Sequence, residues 1–168
     1  MARVYHYVGP PEIREQSREL EPGVEIRDSP SFVAFVGSQS ESIFTFTIDE
    51  RERLRLAPRR SEHVACAGGL SVLAAGELGV SESLTITHLT NQSTGYCPEP
   101  ESWAAVRRSL ERIGLAAPSH WTREYIFRRC PACGERNLVK DGWFVCDLCD
   151  AELPGQWNFS AADQSEAG

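Results

Sequence analysis

The spacing of apolar residues changes along the chain, and each change marks an element. Ser42 to Ile48 alternates, with Ile43, Phe44, Phe46 and Ile48, as a largely buried strand does. The polar run Asp49-Glu50-Arg51-Glu52 then turns the chain into Leu54 to Leu56, which predicts a hairpin. Leu70 to Leu78 follows Gly68-Gly69 as an apolar run, and Leu84 to Leu89 sets Leu84, Ile86 and His88 against threonines, predicting two further antiparallel strands. The period then changes. Trp103, Val106, Leu110 and Ile113 recur at helical spacing and Gly114 ends the run, so this helix packs its apolar stripe on the sheet.

Shorter elements surround these. Ala2 to Val8 has the β-branched and aromatic bulk of a strand before Gly9-Pro10-Pro11 breaks it. Glu12 to Leu20 reads as a short helix, Val24 to Arg27 as an extended piece, and Ser31 to Val36 fits either period. Ala116 to Ser119 is a linker, Tyr125 to Phe127 resumes extended structure, and the polar stretch from Ser160 reads as a disordered tail. The fold class is α+β: residues 1–116 form a mainly antiparallel β domain with one packed amphipathic helix, residues 117–159 a small C-terminal unit, and residues 160–168 the tail.

Composition narrows the function classes. The chain has 168 residues, 41% of them apolar and 24% charged, enough to bury a core. No window approaches the roughly 18 consecutive apolar residues of a membrane span, and the N-terminus lacks a secretory h-region, so the expected location is cytoplasmic. The net charge of −7 argues against wholesale wrapping of nucleic acid. It is unevenly spread: residues 104–142 carry eight basic side chains against four acidic ones, net +4, leaving −11 elsewhere. That segment is either a local anion-binding face or a solvated helix face with arginine stems on apolar surface. Arginine outnumbers lysine sixteen to one, the bias of a GC-rich bacterial genome.

Four of the six cysteines carry the strongest motif. Cys130-Pro131-Ala132-Cys133, twelve residues, then Cys146-Asp147-Leu148-Cys149 offers two pairs of thiolates, each able to reach one ion from a tight turn. Between them, Asn137 to Val139 and Trp143 to Val145 read as strands joined at Lys140-Asp141-Gly142. Gly134 supplies the permissive backbone a knuckle needs. A shell of four thiolates is closed to water and substrate, so one structural Zn²⁺ is the expected cofactor. A redox dithiol pair and an iron–sulfur site share the spacing but leave the intervening hairpin unexplained.

The stretch from Phe127 to Phe159 resembles a zinc ribbon. Phe46-Thr47-Ile48, His63, Ala67-Gly68-Gly69, Ala74-Ala75-Gly76 and Ser93-Thr94-Gly95-Tyr96-Cys97-Pro98, within residues 43–114, are similar in order to a β-rich segment of plant IQ-motif calmodulin-binding proteins. Thr94-Gly95 stands where that segment has Gly-His, and no IQ-type site is present, so calmodulin binding does not carry over. The longer pattern, from Tyr5-His6-Tyr7-Val8-Gly9-Pro10 to Leu153-Pro154-Gly155-Gln156-Trp157-Asn158-Phe159, resembles uncharacterised bacterial proteins with a C-terminal zinc ribbon. Such ribbons serve nucleic-acid machines, enzymes and adaptors alike, so the resemblance implies a fold and a metal rather than an activity.

Two further groups bear chemistry. Asn91, Gln92, Ser93, Thr94 and Tyr96 could line a small-molecule or peptide pocket, or satisfy their own turn. Cys97 and His63 are the candidate catalytic pair, since a thiolate beside an imidazole is the minimum for nucleophilic catalysis. Cys66 reads as a buried small apolar residue. The function expected from these residues is a cytosolic binding or adaptor module whose zinc ribbon and Asn91–Pro98 loop contact another protein. The alternatives are nucleic-acid binding through residues 104–142 with Tyr125, Trp143 and Phe144 stacking bases, and a thiol- or histidine-dependent enzyme centred on Cys97 and His63.

Overall fold

The computed structural model describes residues 2–159; the expected tail from Ser160 onward lies outside the described residues. Its elements run, in chain order, α1 (Pro11–Ser17), β1 (Val24–Ile26), α2 (Ser29–Gly37), β2 (Ile43–Asp49), β3 (Leu54–Pro58), α3 (His63–Cys66), β4 (Val72–Val80), β5 (Ile86–Thr90), α4 (Trp103–Ile113), β6 (Ile126–Arg129) and β7 (Arg136–Val139). Strands β1 to β5 form one antiparallel sheet in the order β1-β3-β2-β4-β5, and β6 and β7 form a separate antiparallel pair. The class is α+β, with three helices shorter than α4 standing around the sheet.

Strand β2 sits at the centre of the sheet, and its two faces explain the layers. Phe44, Phe46 and Ile48 point one way into a core shared with Ile26, Phe32, Leu54, Leu56, Leu78 and Leu110. Helices α2 and α4 cover this face. The α4 stripe contributes Ala105, Val106 and Leu110, and Gly114 at φ 77° closes the helix in the left-handed conformation that a residue without Cβ adopts freely. Trp121, inside the stretch assigned from sequence to the C-terminal unit, belongs to this same core: its ring stacks on Phe46 and its Nε1–H donates to Pro100 O at 2.8 Å.

The other face of β2 is polar yet buried. Thr45 Oγ1 donates to the carbonyls of Arg59 and Ser61, and Thr47 Oγ1 lies 3.6 Å from Cys66 Sγ on α3. A smaller cluster of Tyr5, Val64, Ala67, Val72, Ala75 and Tyr96 closes this side. Both faces of the central strand are therefore covered.

Three local differences from the sequence reading have physical causes. Ser31 to Val36 is helical because Asp28 and Ser31 form a capping box, with Ser31 N donating to Asp28 Oδ1 at 2.8 Å, and because Phe32, Phe35 and Val36 then share one buried face. Ala2 to Val8 meets the sheet only where Tyr5 pairs with Val72. The chain then leaves to give Val8 N to Gly95 O at 2.7 Å, so it ties two elements together rather than extending one. Asn137 to Val139 pairs not with Trp143 to Val145 but with Phe127, Arg128 and their neighbours, because the first cysteine turn is itself the hairpin connection.

Gly76 marks the tightest contact in the sheet. A Cβ there would lie 1.8 Å from Thr90 O and 2.7 Å from Thr90 C, both backbone atoms of β5, and the Gly76 carbonyl also bonds His63 Nε2 at 2.9 Å. Gly76→Ala should cost about 3 kcal/mol because β4 and β5 must separate to admit the methyl group. Gly37→Ala, whose Cβ meets nothing within 4 Å, should stabilise by about 0.5 kcal/mol. Urea denaturation of the two variants checks this; equal midpoints would refute the close approach.

Candidate metal centre

The four sequence-predicted cysteines converge. Their sulfurs all lie within 4.8 Å of one another, with Cys130 Sγ 3.5 Å from Cys149 Sγ and Cys133 Sγ 3.6 Å from Cys146 Sγ. These separations exceed a disulfide bond of about 2.05 Å and approach the spacing of about 3.8 Å that a tetrahedral ion imposes on thiolates held at about 2.3 Å. Four thiolates at such distances could hold one metal ion with no ligand position left over.

The local backbone makes this geometry twice. In the first turn Cys130 N donates to Glu135 O at 2.8 Å and Gly134 N to Cys130 O at 2.9 Å; in the second, Cys146 N donates to Ala151 O at 2.8 Å and Asp150 N to Cys146 O at 3.0 Å. The residue after each pair takes positive φ, 81° at Gly134 and 63° at Asp150, and aspartate tolerates this region better than most side chains. In both turns the first cysteine is buried and the second exposed. Sequence analysis identified Gly134 but not its counterpart Asp150.

Asn137 joins the two turns and was not singled out from sequence. Its Oδ1 accepts from Asp147 N at 2.9 Å, while its Nδ2 donates to Glu135 O at 3.1 Å and to Cys146 Sγ at 3.4 Å. A buried asparagine in a short strand of otherwise apolar character was the available signal, since asparagine is disfavoured in strands unless its side chain is used. Burial opposes ionisation of Cys146, but the backbone N–H of Cys149, the Asn137 amide and the backbone N–H of Leu148 outweigh it and hold the thiol down to about 6. Backbone N–H groups, that of Cys133 foremost, also hold Cys130 below the ordinary thiol value against its burial. Cys130 and Cys146 are thus held toward the thiolate that a metal binds, while, despite backbone N–H donors, burial and the neighbouring sulfurs push Cys133 up to about 12 and raise Cys149.

The cysteine unit is fastened to the sheet by buried polar contacts. Arg128 donates from Nη1 to Glu99 Oε1 at 2.8 Å, from Nη2 to Gly155 O at 2.8 Å and from Nε to Pro154 O at 3.2 Å. Trp157 Nε1–H donates to Cys97 O at 2.8 Å, and its ring meets Tyr5 edge-on. Asn158 brackets the backbone of Arg129, accepting from its N at 2.8 Å and donating to its O at 2.6 Å. Leu153 packs beside Cys130 and Cys146, while Phe159 packs with Cys97 and Phe127.

Of the other sequence-predicted residues, Asn91, Ser93 and Tyr96 are buried, Gln92 is half-buried and Thr94 is exposed. Asn91 is fully buried: Nδ2 donates to Pro98 O at 3.0 Å and to Tyr125 O at 2.8 Å, and Oδ1 accepts from Tyr125 N at 2.7 Å. Ser93 Oγ accepts from Tyr96 N at 3.3 Å, and Tyr96 OH donates to Leu70 O at 2.7 Å. Gln92 N donates to Thr90 Oγ1 at 3.3 Å, and exposed Thr94 offers its carbonyl to Cys97 Sγ and Arg136 Nη1. A cleft of about 640 Å³ lies elsewhere, between the N-terminal segment and α4, lined by Arg3, Tyr5, Leu73, Glu101 and Arg108 among others.

Cys97 and His63 are not brought together. The Cys97 thiol faces Thr94 O at 3.5 Å, in the cluster with Phe127 and Phe159, and burial pushes it up to about 12. The His63 ring bonds Gly76 O, and desolvation lowers its pKa. No hydrogen bond joins the two among the described residues. Cys66, beneath the sheet, is likewise pushed up to about 11 by burial.

All eight basic residues of 104–142 have partners within the protein. Arg107 faces Glu111, Arg108 Glu52, Arg128 Glu99 and Lys140 Asp147, while Arg112 donates to Glu52 O, Arg129 to Gly134 O and Arg136 to Thr94 O. Arg123 lies over the Tyr125 ring at 5.1 Å. No helix among the described residues is long and apolar enough to cross a membrane. No family model, curated protein or solved structure matches the chain.

Alkylation of the folded, chelator-treated protein by iodoacetamide at about pH 8 should modify the four clustered cysteines first and leave Cys66 and Cys97, buried and pushed up to about 11 and about 12, unmodified until denaturant is added. Peptide mapping reads the order. Cys97 labelling as fast as Cys133 would contradict its burial.

Proposed function

We propose that the chain is a zinc-stabilised binding module: a C-terminal zinc ribbon, fixed on an antiparallel sheet, that contacts another protein. The closed sulfur cluster is the observation that carries this reading. Four thiolates and no nitrogen or carboxylate ligand favour Zn²⁺ over harder cations, and a filled tetrahedral shell has no position for a substrate, so the ion serves structure. Thiolates of this kind persist where thiols stay reduced, which makes the cytoplasm the proposed setting.

Two further observations support a binding role over the alternatives. The Cys97 thiol is buried and held protonated with no imidazole beside it, a poor arrangement for a nucleophile. Two basic side chains of residues 104–142 are paired with carboxylates elsewhere in the fold, Arg108 with Glu52 and the buried Arg128 with Glu99, which reduces the cations left for a phosphate backbone. The similarity to bacterial zinc-ribbon proteins belongs with this reading, and the likeness of residues 43–114 to plant IQ-motif proteins rests on its motifs alone.

Native mass spectrometry of the purified protein tests the proposal. One zinc per chain is expected, with a stoichiometric protein partner when the protein is isolated from its own host. Cys133→Ser should lower zinc affinity at least about tenfold, and chelation should erase the NMR signals of the two cysteine turns, residues 130–135 and 146–151, while those of β2 to β4 and of β6 keep their dispersion. Iron in place of zinc, or a metal-free chain with an ordered ribbon, would refute the metal assignment; turnover of a substrate lost in Cys97→Ser would refute the binding role.

A further inference from the structure

The two most exposed large apolar side chains among the described residues are Trp143 at 70% and Leu148 at 69%, and both belong to the cysteine unit. Trp143 sits in the turn after β7, its N–H donating to Lys140 O at 2.9 Å, while Leu148 lies between the cysteines of the second turn. The Lys140–Asp147 ion pair at 3.8 Å brings the two turns side by side, and both side chains are exposed on them. The neighbouring Phe144 faces inward, with the Arg128 guanidinium 5.8 Å from its ring. Among the described residues Trp143 makes no ring stacking or cation–π contact, and its side chain is not needed to hold the turn that its backbone closes.

The charge around this pair is negative. Asp141, Asp147, Asp150 and Glu152 are all exposed on the same turns, and Lys140, the cation among them, already faces Asp147. Phosphate would be repelled here, which separates Trp143 from a base-stacking role. A second copy of the chain also fits poorly, since each copy carries −7. A tryptophan and a leucine held on a rigid turn and ringed by carboxylates match a surface that is apolar at its centre and basic at its edge.

We infer that this end of the ribbon docks a basic segment of another protein, with Trp143 and Leu148 entering an apolar recess and Asp141, Asp147, Asp150 and Glu152 pairing with arginine or lysine at its rim. The inference rests on the binding-module reading and names the chemistry of its partner. Rigidity supports it: Arg128 and Asn158 fix the base of the ribbon, and the sulfur cluster fixes its end, so little side-chain order remains to be imposed on binding.

The test uses the full zinc-loaded chain and three fluorescently labelled probes: a peptide alternating arginine with leucine, the same peptide with serine for leucine, and a single-stranded oligothymidine. Anisotropy should show the arginine–leucine peptide binding and the other two binding at least about tenfold more weakly. Trp143→Ser should weaken peptide binding about tenfold, and Glu152→Gln together with Asp141→Asn should flatten its salt dependence, while zinc content and circular dichroism stay at wild-type values. Equal affinity for the leucine and serine peptides, preference for the oligonucleotide, absence of peptide binding, or indifference to Trp143→Ser would each overturn the inference. A host partner retained equally by the wild type and by Trp143→Ser would overturn this surface and leave the binding-module reading standing. Trp143-dependent peptide binding by a chain that retains no host partner would support the surface and count against the broader reading.

Discussion

The Arg128 guanidinium is the point on which the relation between sheet and ribbon depends. Its side chain is 6% exposed and Glu99, its acidic partner, 12%, so both charges have lost most of their water. Such a pair contributes little net stability compared with apolar packing, but leaving one member unpaired costs about 3–5 kcal/mol. The remaining donors of Arg128 reach Pro154 O, Gly155 O and Phe127 O, which draws the chain after the second cysteine pair back onto β6. A lysine could not replace this fork, because one ammonium cannot meet a carboxylate and carbonyls lying in different directions.

Around that centre, the contacts between the two halves use backbone geometry rather than bulk. Asn91 binds both the N–H and the C=O of Tyr125, as a neighbouring strand would, and so extends β5 laterally to the segment entering β6. Trp157 repeats the device from the other side with its N–H on Cys97 O, and its ring fills the space beside Tyr5. Residues 91–98 are consequently a joint. Asn91 satisfies the Tyr125 amide and carbonyl where the segment entering β6 meets the loop, while Ser93 and Tyr96 satisfy groups of the loop itself and of Leu70.

This division explains what was readable from the residues. The hairpin of β2 and β3, strand β4 and helix α4 follow from local period and turn chemistry, and the cysteine spacing carries its own geometry. Helix α2 was ambiguous because six residues fit both periods; the capping box that decides it depends on Asp28, outside the ambiguous run. Arg128 and Asn91 were illegible for a different reason. Their roles are set by partners 26 to 34 positions away, and nothing in Ile126-Phe127-Arg128-Arg129 distinguishes the buried arginine from its neighbour. The same distance left the reading of Asn91 to Tyr96 open between a pocket and a self-satisfied turn, since the segment at Tyr125 that takes up Asn91 lies 34 positions away.

The anchoring also determines how far the metal's influence extends. Strand β6 is held at its start by Asn91, through Tyr125, and near its end by Arg128 and by Asn158 on Arg129, all without reference to the sulfurs. The two cysteine turns beyond it have only a small apolar cluster of Cys130, Cys146 and Leu153 with Val139, Phe144 and Ala151. Four sulfurs this close repel one another once all are thiolates, unless a cation lies between them. A metal ion held by the four sulfurs would order the two cysteine turns, while β6 is seated beside the sheet by contacts of its own. Asn137, which touches both cysteine turns, would join the two effects.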